Sequence, residues 1–66
     1  MKNYKINFDA VTTNDDVVGN FTLCINLPEY GVADRRVLAL RRLCVEYARL
    51  NNVSCSFADI KSIETA

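Results

Sequence analysis

The spacing of apolar residues changes twice along this chain, and each change indicates a new structural element. Apolar and polar residues alternate over residues 4–10, a period of two that is typical of a half-buried strand. Small polar residues at 12–16 favour a turn because their side chains compete for backbone hydrogen bonds. A second apolar run, Val17–Leu27, is interrupted at Gly19, as in a bulge, and ends at Pro28, which has no N–H to donate. The pattern predicts a β-hairpin.

The patterns of the two strands predict a sheet with one buried face and one solvent-exposed face. The side chains expected to face the core are Tyr4, Ile6, Phe8, Ala10, Val17, Phe21, Leu23, Ile25 and Leu27. The opposite face is expected to carry Asn3, Lys5, Asn7, Asp9, Asn20, Thr22, Cys24 and Asn26. An open antiparallel sheet can leave one face in water, so the polar face needs no cover.

Over residues 33 to about 50 the period becomes helical. At about 100° per residue, one stripe collects Ala33, Val37, Leu40, Cys44, Tyr47 and Ala48, with Leu43 and Leu50 at its edge. Asp34 suits a helix N-terminus because the helix dipole favours negative charge there. Asn51 and Asn52 predict the cap at the other end.

The C-terminal segment returns to alternation and then loses phase. Val53, Cys55 and Phe57 alternate, whereas Ile60 and Ile63 are three positions apart. We expect a strand over residues 53 to about 61 with a bulge near Ala58. A short terminal helix over residues 58–66 is the alternative.

These elements predict a single α+β domain over residues 1–66 with the order β-β-α-β. The hairpin makes strands one and two antiparallel, and the helical crossover returns strand three parallel to strand two. Strand three beside strand one therefore makes every pairing antiparallel. The expected architecture is a three-stranded antiparallel sheet of order 2-1-3 with one helix packed on one face.

The composition argues against several kinds of chemistry but does not indicate a function. The 66 residues include no histidine and only two glycines, and the three cysteines lack the paired spacing of zinc or redox motifs. Cys24 and Cys44 have apolar neighbours, where a free cysteine usually acts as a small hydrophobe. We therefore expect a protein that is not an enzyme and that needs no metal or cofactor. The N-terminus lacks a signal peptide's apolar region, which predicts a cytoplasmic protein with reduced thiols.

All five arginines lie between positions 35 and 49, although the net charge is zero. Arg35, Arg42 and Arg49 recur every seven residues and therefore form an outward ridge spanning about 40°. Arg36 and Arg41 lie nearer the flanks of the buried stripe. Glu46 is spaced to pair with both Arg42 and Arg49. An ordinary solvated helix face is the alternative to a binding ridge.

Leu38 and Val45 are expected to form a small apolar strip beside this ridge, which one small sheet leaves uncovered. Apolar anchors rimmed by arginine resemble a protein interface. Together with Arg35, Arg41, Arg42 and Arg49 they are the candidate partner-binding residues. Two scattered exposed apolar residues are the alternative.

The second strand is expected at an edge of the sheet and carries no charged residue or internal proline to protect it. Its polar positions Thr22, Cys24 and Asn26 mark a candidate edge for pairing with a second copy or with a strand of another protein. Cover by a loop or by the chain end is the alternative.

The leading expectation is a small protein-binding module, such as a phage or mobile-element accessory protein that inhibits or modulates a host protein by occluding an acidic surface. A homodimer through the strand-two edge or the helix is possible. The alternative is a small nucleic-acid-binding regulator that uses the same arginines. The sequence pI of about 6.1 disfavours it, since such domains are usually strongly basic.

Overall fold

The computed structural model describes residues 2–28 and 35–65, and within the helix it describes side chains from Leu38 onward. In chain order the elements are strand β1 (Lys2–Val11), strand β2 (Val17–Leu27), helix α1 (Arg35–Leu50) and strand β3 (Phe57–Thr65). The helix start expected near Ala33 and Asp34 lies outside the described residues.

The three strands form one antiparallel sheet in the order β2-β1-β3, and α1 packs on one face of it. The predicted α+β architecture is therefore confirmed. β1 is central because the hairpin holds β2 on one side and the crossover through α1 brings β3 to the other. Position 7 shows the symmetry of the arrangement, since Asn7 lies opposite Thr22 on one neighbour and Ser62 on the other.

The hairpin turn is formed by the small polar residues that the sequence indicated. The carbonyl of Thr12 accepts a hydrogen bond from the N–H of Asp15 at 3.0 Å, and its side-chain hydroxyl accepts one from the N–H of Asp16 at 3.3 Å. Asp15 has a φ of 63°, a left-handed conformation that aspartate tolerates well. The predicted bulge lies beside Gly19, because Val18 is an extra residue between the pairs Val11–Val17 and Ala10–Gly19.

The core lies between β1 and α1. Its fully buried large side chains are Phe8, Ile6, Leu40 and Cys44. The ring of Phe8 stacks on Phe21 with centroids 5.6 Å apart, and Tyr47 of the helix meets both rings edge-on. This aromatic cluster joins β1, β2 and α1, so the alternation and the helical stripe predicted separately meet in one core.

Two leucines expected at the edge of the helical stripe lie outside the core. Leu43 is 43% exposed and Leu50 is 82% exposed. Leu50 occupies the last position of α1. The stripe is therefore narrower than the sequence indicates, and its centre consists of Leu40, Cys44 and Ala48 at intervals of four residues.

The helix ends at the predicted asparagines in a Schellman motif. The N–H of Val53 donates to the carbonyl of Ala48 at 2.9 Å, and the N–H of Asn52 donates to that of Arg49 at 2.9 Å. Asn52 has a φ of 64°, the left-handed conformation that this cap requires. The side-chain amide of Asn51 donates to the carbonyl of Tyr47 as well.

The predicted position of the third strand was wrong. Residues 53–56 form a connection, and β3 runs from Phe57 to Thr65. The alternation at Val53 and Cys55 reflects packing against the core from this connection rather than strand pairing. The alternative of a terminal helix is also wrong, because residues 58–65 are strand.

The bulge of β3 lies at Lys61, three residues later than predicted. Phe8 lies opposite Ile60 and Asn7 opposite Ser62, so Lys61 has no direct partner on β1. The extra residue places both Ile60 and Ile63 against the core despite their spacing of three. The loss of phase in the sequence therefore has a simple physical cause.

Candidate functional site

A groove of about 580 Å³ lies between α1 and the start of β3. The helix supplies one wall, and residues 56–58 supply the other. Its lining consists of Leu38, Arg41, Arg42, Val45, Glu46, Ser56, Phe57 and Ala58. Four of the six predicted partner-binding residues, Leu38, Val45, Arg41 and Arg42, therefore lie together.

Helical spacing explains why the α1 residues share one wall. Leu38, Arg42 and Val45 follow one another at intervals of four and three, which places them on one side of a helix. Leu38 is 65% exposed, whereas Val45 is partly buried against the core. The predicted apolar strip is thus exposed at Leu38 and reaches the core edge at Val45.

The opposite wall is positioned by the sheet. The N–H of Ser56 donates to the carbonyl of Val11 at 2.9 Å, which attaches the chain to the end of β1 just before β3 begins. Phe57 follows opposite Val11 and is 42% exposed. The start of β3 therefore forms the second wall of the groove, where the exposed Phe57 is followed by the buried Ala58.

Sequence reasoning missed Phe57 as a site residue. Its alternation with Val53 and Cys55 indicated a core position in a strand. Only the pairing register shows that β3 begins here. Two of the three residues before Phe57 are serines, Ser54 and Ser56. Their polarity was the available sign that this segment lies near the surface.

The charged side chains around the groove differ in whether they form ion pairs. Glu46 forms an ion pair with Arg49 at 3.2 Å, and both side chains are well exposed. Within the described residues, Arg41 and Arg42 form no ion pair. The expected second pairing of Glu46 with Arg42 is therefore wrong, and Arg49 balances the one acidic side chain that lines the groove.

The predicted arginine ridge is only partly described. Arg42 and Arg49 are exposed as expected, whereas the side chain of Arg35 lies outside the described residues. Arg49 does not line the groove but pairs with Glu46, which does. Arg41, which was expected nearer the flank of the buried stripe, is exposed and lines the groove.

The edge strand β2 presents its predicted residues to solvent. Thr22, Cys24 and Asn26 are exposed on the open face of the sheet. The expectation that Cys24 acts as a small buried hydrophobe is wrong, because alternation places it opposite Lys5 on the polar face. Cys44 does fill the core, where burial raises the pKa of its thiol to about 11 and so keeps it protonated.

The open face is crossed by side-chain hydrogen bonds. The amide of Asn20 donates to a carboxylate oxygen of Asp9 at 2.8 Å and exchanges hydrogen bonds with the amide of Asn7 at 3.1 and 3.3 Å. Asn7 also donates to the hydroxyl of Thr22, and Asn26 donates to Asn3. These contacts join β1 to β2 on the side away from the helix.

The opposite edge carries ion pairs instead. The ammonium group of Lys61 lies 2.8 Å from Asp59 and 3.7 Å from Asp9. The hydrogen bond and the charge of Asp59 raise the pKa of Lys61, with a smaller contribution from Asp9. The polar face thus changes from neutral amides at β2 to charged groups at β3.

Comparison with known proteins adds no assignment to this geometry. No protein-family model matches the chain, and neither a curated protein nor a solved structure matches it significantly. In the described part of the chain, no helix is long and apolar enough to cross a membrane. The groove and the β2 edge are therefore interpreted from their own chemistry.

Proposed function

We propose that this chain is a non-enzymatic protein-binding module whose α1–β3 groove holds an acidic segment of a partner protein. The observation that carries the proposal is one concave surface that combines apolar side chains with two guanidinium groups that form no ion pair among the described residues. Leu38, Val45 and Phe57 supply the apolar contacts, and Arg41 and Arg42 lie beside them.

The apolar residues provide the means to bind. Leu38 and Val45 line the helix wall and Ala58 lines the opposite wall, so one inserted side chain would contact both walls. Burying such surface stabilises a complex by about 25 cal/mol per Å² of apolar area. Hot spots of protein interfaces have this form, an apolar anchor in a concave site surrounded by polar groups.

The arginines select the charge of the partner. Arg41 and Arg42 have no carboxylate partner among the described residues, whereas Glu46 is already balanced by Arg49. A carboxylate of the partner can accept two parallel hydrogen bonds from one guanidinium group, which adds both energy and orientation. The groove therefore favours a segment with apolar side chains and nearby aspartate or glutamate.

Occlusion is the mode of action that we propose, because the molecule is too small to offer much more than a surface. Occupying an acidic segment would inhibit or modulate the protein that carries it, as expected for an accessory protein of a phage or mobile element. Three free cysteines agree with a cytoplasmic setting, which is part of the same proposal.

A panel of labelled peptides tests the proposal. Each peptide has two leucines flanked by glutamates, and a matched set carries lysines instead. Fluorescence polarisation should show that the wild-type protein binds acidic peptides in preference to basic ones. Arg42→Glu should reduce that binding at least about tenfold, because it replaces a charge-assisted hydrogen bond with repulsion.

Lys5→Glu is the matched control, since it makes the same change of charge on the opposite face of the sheet. It should leave peptide binding nearly unchanged. Equal losses in the two variants would show that binding depends on net charge alone, and would contradict a role for the groove. Failure of every acidic peptide to bind would do the same.

A parallel assay tests the alternative of nucleic-acid binding. Labelled duplex and single-stranded DNA at low salt should show no shift with the wild-type protein. A shift that Arg42→Glu abolishes, and that weakens steeply as salt rises, would instead assign the arginines to phosphate contacts.

A further inference from the structure

We propose that the outer edge of β2 binds the β2 edge of a second copy of this chain, which joins two three-stranded sheets into one six-stranded sheet. The inference goes beyond the proposed groove function and involves different residues. It depends on three features of β2: its unpaired backbone, its uncharged open face and its half-buried apolar row.

The backbone of β2 is paired on one side only. Its inner side pairs with β1 from Lys2–Leu27 to Ala10–Gly19 without interruption. In an antiparallel strand, alternate residues direct their N–H and C=O groups to the other side. Across the described residues, no strand pairs with that side of β2. Such an edge is a template for another strand.

The side chains of this edge do not protect it. Nothing between Val17 and Leu27 is charged, and the exposed positions Thr22, Cys24 and Asn26 are small and neutral. Natural edges usually carry lysine, proline or a central bulge that prevents pairing. The only bulge of β2 lies near its start at Val18, which leaves residues 19–27 regular.

The helix side of β2 is also incompletely covered. Phe21, Leu23, Ile25 and Leu27 pack against the core but stay only partly buried. The cause is the position of α1, which packs more closely on β3 than on β2. A strand added at this edge would cover the outer side of the apolar row.

A second copy fits this edge because the strand is its own complement. Directly opposite residues of an antiparallel pair point to the same face, so apolar positions meet apolar positions when the regular segment 19–27 pairs with itself. Leu23 then lies on the two-fold axis, and Thr22 lies opposite Cys24 of the other copy. No like charges meet, because the segment has none.

The arrangement leaves the proposed groove open. The two-fold axis is perpendicular to the sheet, so both helices lie on one face of it. The groove lies between α1 and β3, on the side of the molecule away from β2. Pairing through β2 therefore brings the two copies together without covering either groove.

Sedimentation velocity over a range of concentrations tests the inference with a matched pair of variants. Thr22 and Ser62 both lie opposite Asn7, one on each edge strand, and both are exposed. The wild-type protein should dimerise as concentration rises. Thr22→Lys should sediment as a monomer at concentrations where the wild type is a dimer, whereas Ser62→Lys should dimerise like the wild type.

A cysteine variant tests the register. In Thr22→Cys, the new thiol lies opposite the native Cys24 of the other copy, so mild oxidation should yield a disulfide-linked dimer on a non-reducing gel. Asn26→Cys is displaced from Cys24 in this register and should cross-link far less. Equal cross-linking of the two variants would contradict the register.

Two results would overturn the pairing itself. A wild-type protein that stays monomeric at all concentrations would show that β2 does not bind its copy. A dimer that Ser62→Lys disrupts and Thr22→Lys does not would place the contact at β3. Circular dichroism of both lysine variants should match the wild type, which separates loss of pairing from loss of folding.

Discussion

The two edge strands of this sheet are built from different chemistry. β3 carries charged side chains at Asp59, Lys61 and Glu64 and has its bulge in the middle of the strand. β2 is longer, carries no charge and is regular from Gly19 to its end. Both strands pair with the same central strand, so the difference does not arise from the partner.

The difference indicates which edge is closed to further pairing. A central bulge and a lysine are two of the devices by which natural sheets discourage edge-to-edge association. β3 has both at one residue, Lys61, whereas β2 has neither along residues 19–27. The sheet is therefore asymmetric: one edge is protected and the other is available.

The central strand β1 meets β2 along one line of contact and β3 along another, and these two seams of the sheet also differ on the open face. The seam between β1 and β2 is joined by neutral amides, with Asn20 as the centre of the network. The seam between β1 and β3 is joined by the ion pair of the exposed Lys61 with the partly buried Asp9. Surface ion pairs contribute little to stability and weaken in salt, so the amide seam should be the stronger.

The largest effect should come from the residue on which both seams depend. Phe8 is fully buried, stacks on Phe21 of β2 and lies opposite Ile60 of β3. Phe8→Ala should lower the free energy of unfolding by about 3–5 kcal/mol. That loss approaches the total stability of a domain this small, so circular dichroism should show a largely unfolded chain.

Phe57→Ala is the control for this variant, because it removes the same side chain from an exposed position in the groove. We expect it to stay folded, with a much smaller shift in urea denaturation. A folded Phe8→Ala variant with a normal urea midpoint would contradict a single core shared by the two seams.

The next effect concerns the amide seam. Asn20→Ala removes hydrogen bonds to Asp9, to Asn7 and to the carbonyl of Phe8. Urea denaturation should show a loss of about 1 kcal/mol, the usual net value for such contacts. The loss should persist in high salt because Asn20 carries no net charge and two of its three partners, the amide of Asn7 and the carbonyl of Phe8, are neutral. Asn26→Ala, which removes one bond to Asn3, should cost less.

The smallest effect concerns the ionic seam. Lys61→Gln removes the charge that lies 3.7 Å from Asp9 of β1 and 2.8 Å from Asp59. The urea midpoint should shift less than in Asn20→Ala, and about 0.5 M NaCl should remove the difference from wild type because exposed charges are screened. A salt-resistant loss larger than that of Asn20→Ala would reverse the ranking of the two seams.

Much of the fold could be predicted from periodicity. Three local patterns predicted elements that the structure has: the alternation in β1 and β2, the polar turn and the helical stripe. The order β2-β1-β3 followed from the hairpin, the helical crossover and a preference for antiparallel pairing. The start of β3 could not be predicted, because Val53 and Cys55 alternate for a reason unrelated to strand pairing: they pack on the core from a connection.

The candidate site was predictable only on its helical side. Helical spacing placed Leu38, Val45 and Arg42 together because they belong to one element. Phe57 completes the groove from a different element, and its place depends on where α1 crosses the sheet. Long-range geometry of this kind leaves no local pattern in the sequence. The ion pair of Glu46 is a local matter within α1, where the spacing allowed both Arg42 and Arg49 and the structure shows the pair with Arg49.

The bulge at Lys61 has a consequence for how the chain can change in length. β3 contains one residue more than its pairing with β1 requires, since Ile60 and Ser62 lie opposite consecutive residues. Loss of that residue would leave every remaining side chain of β3 on its present face. A one-residue deletion in the middle of β1 would instead reverse the faces of half that strand against both neighbours. Length variation is therefore compatible with this fold at the protected edge and excluded at its centre.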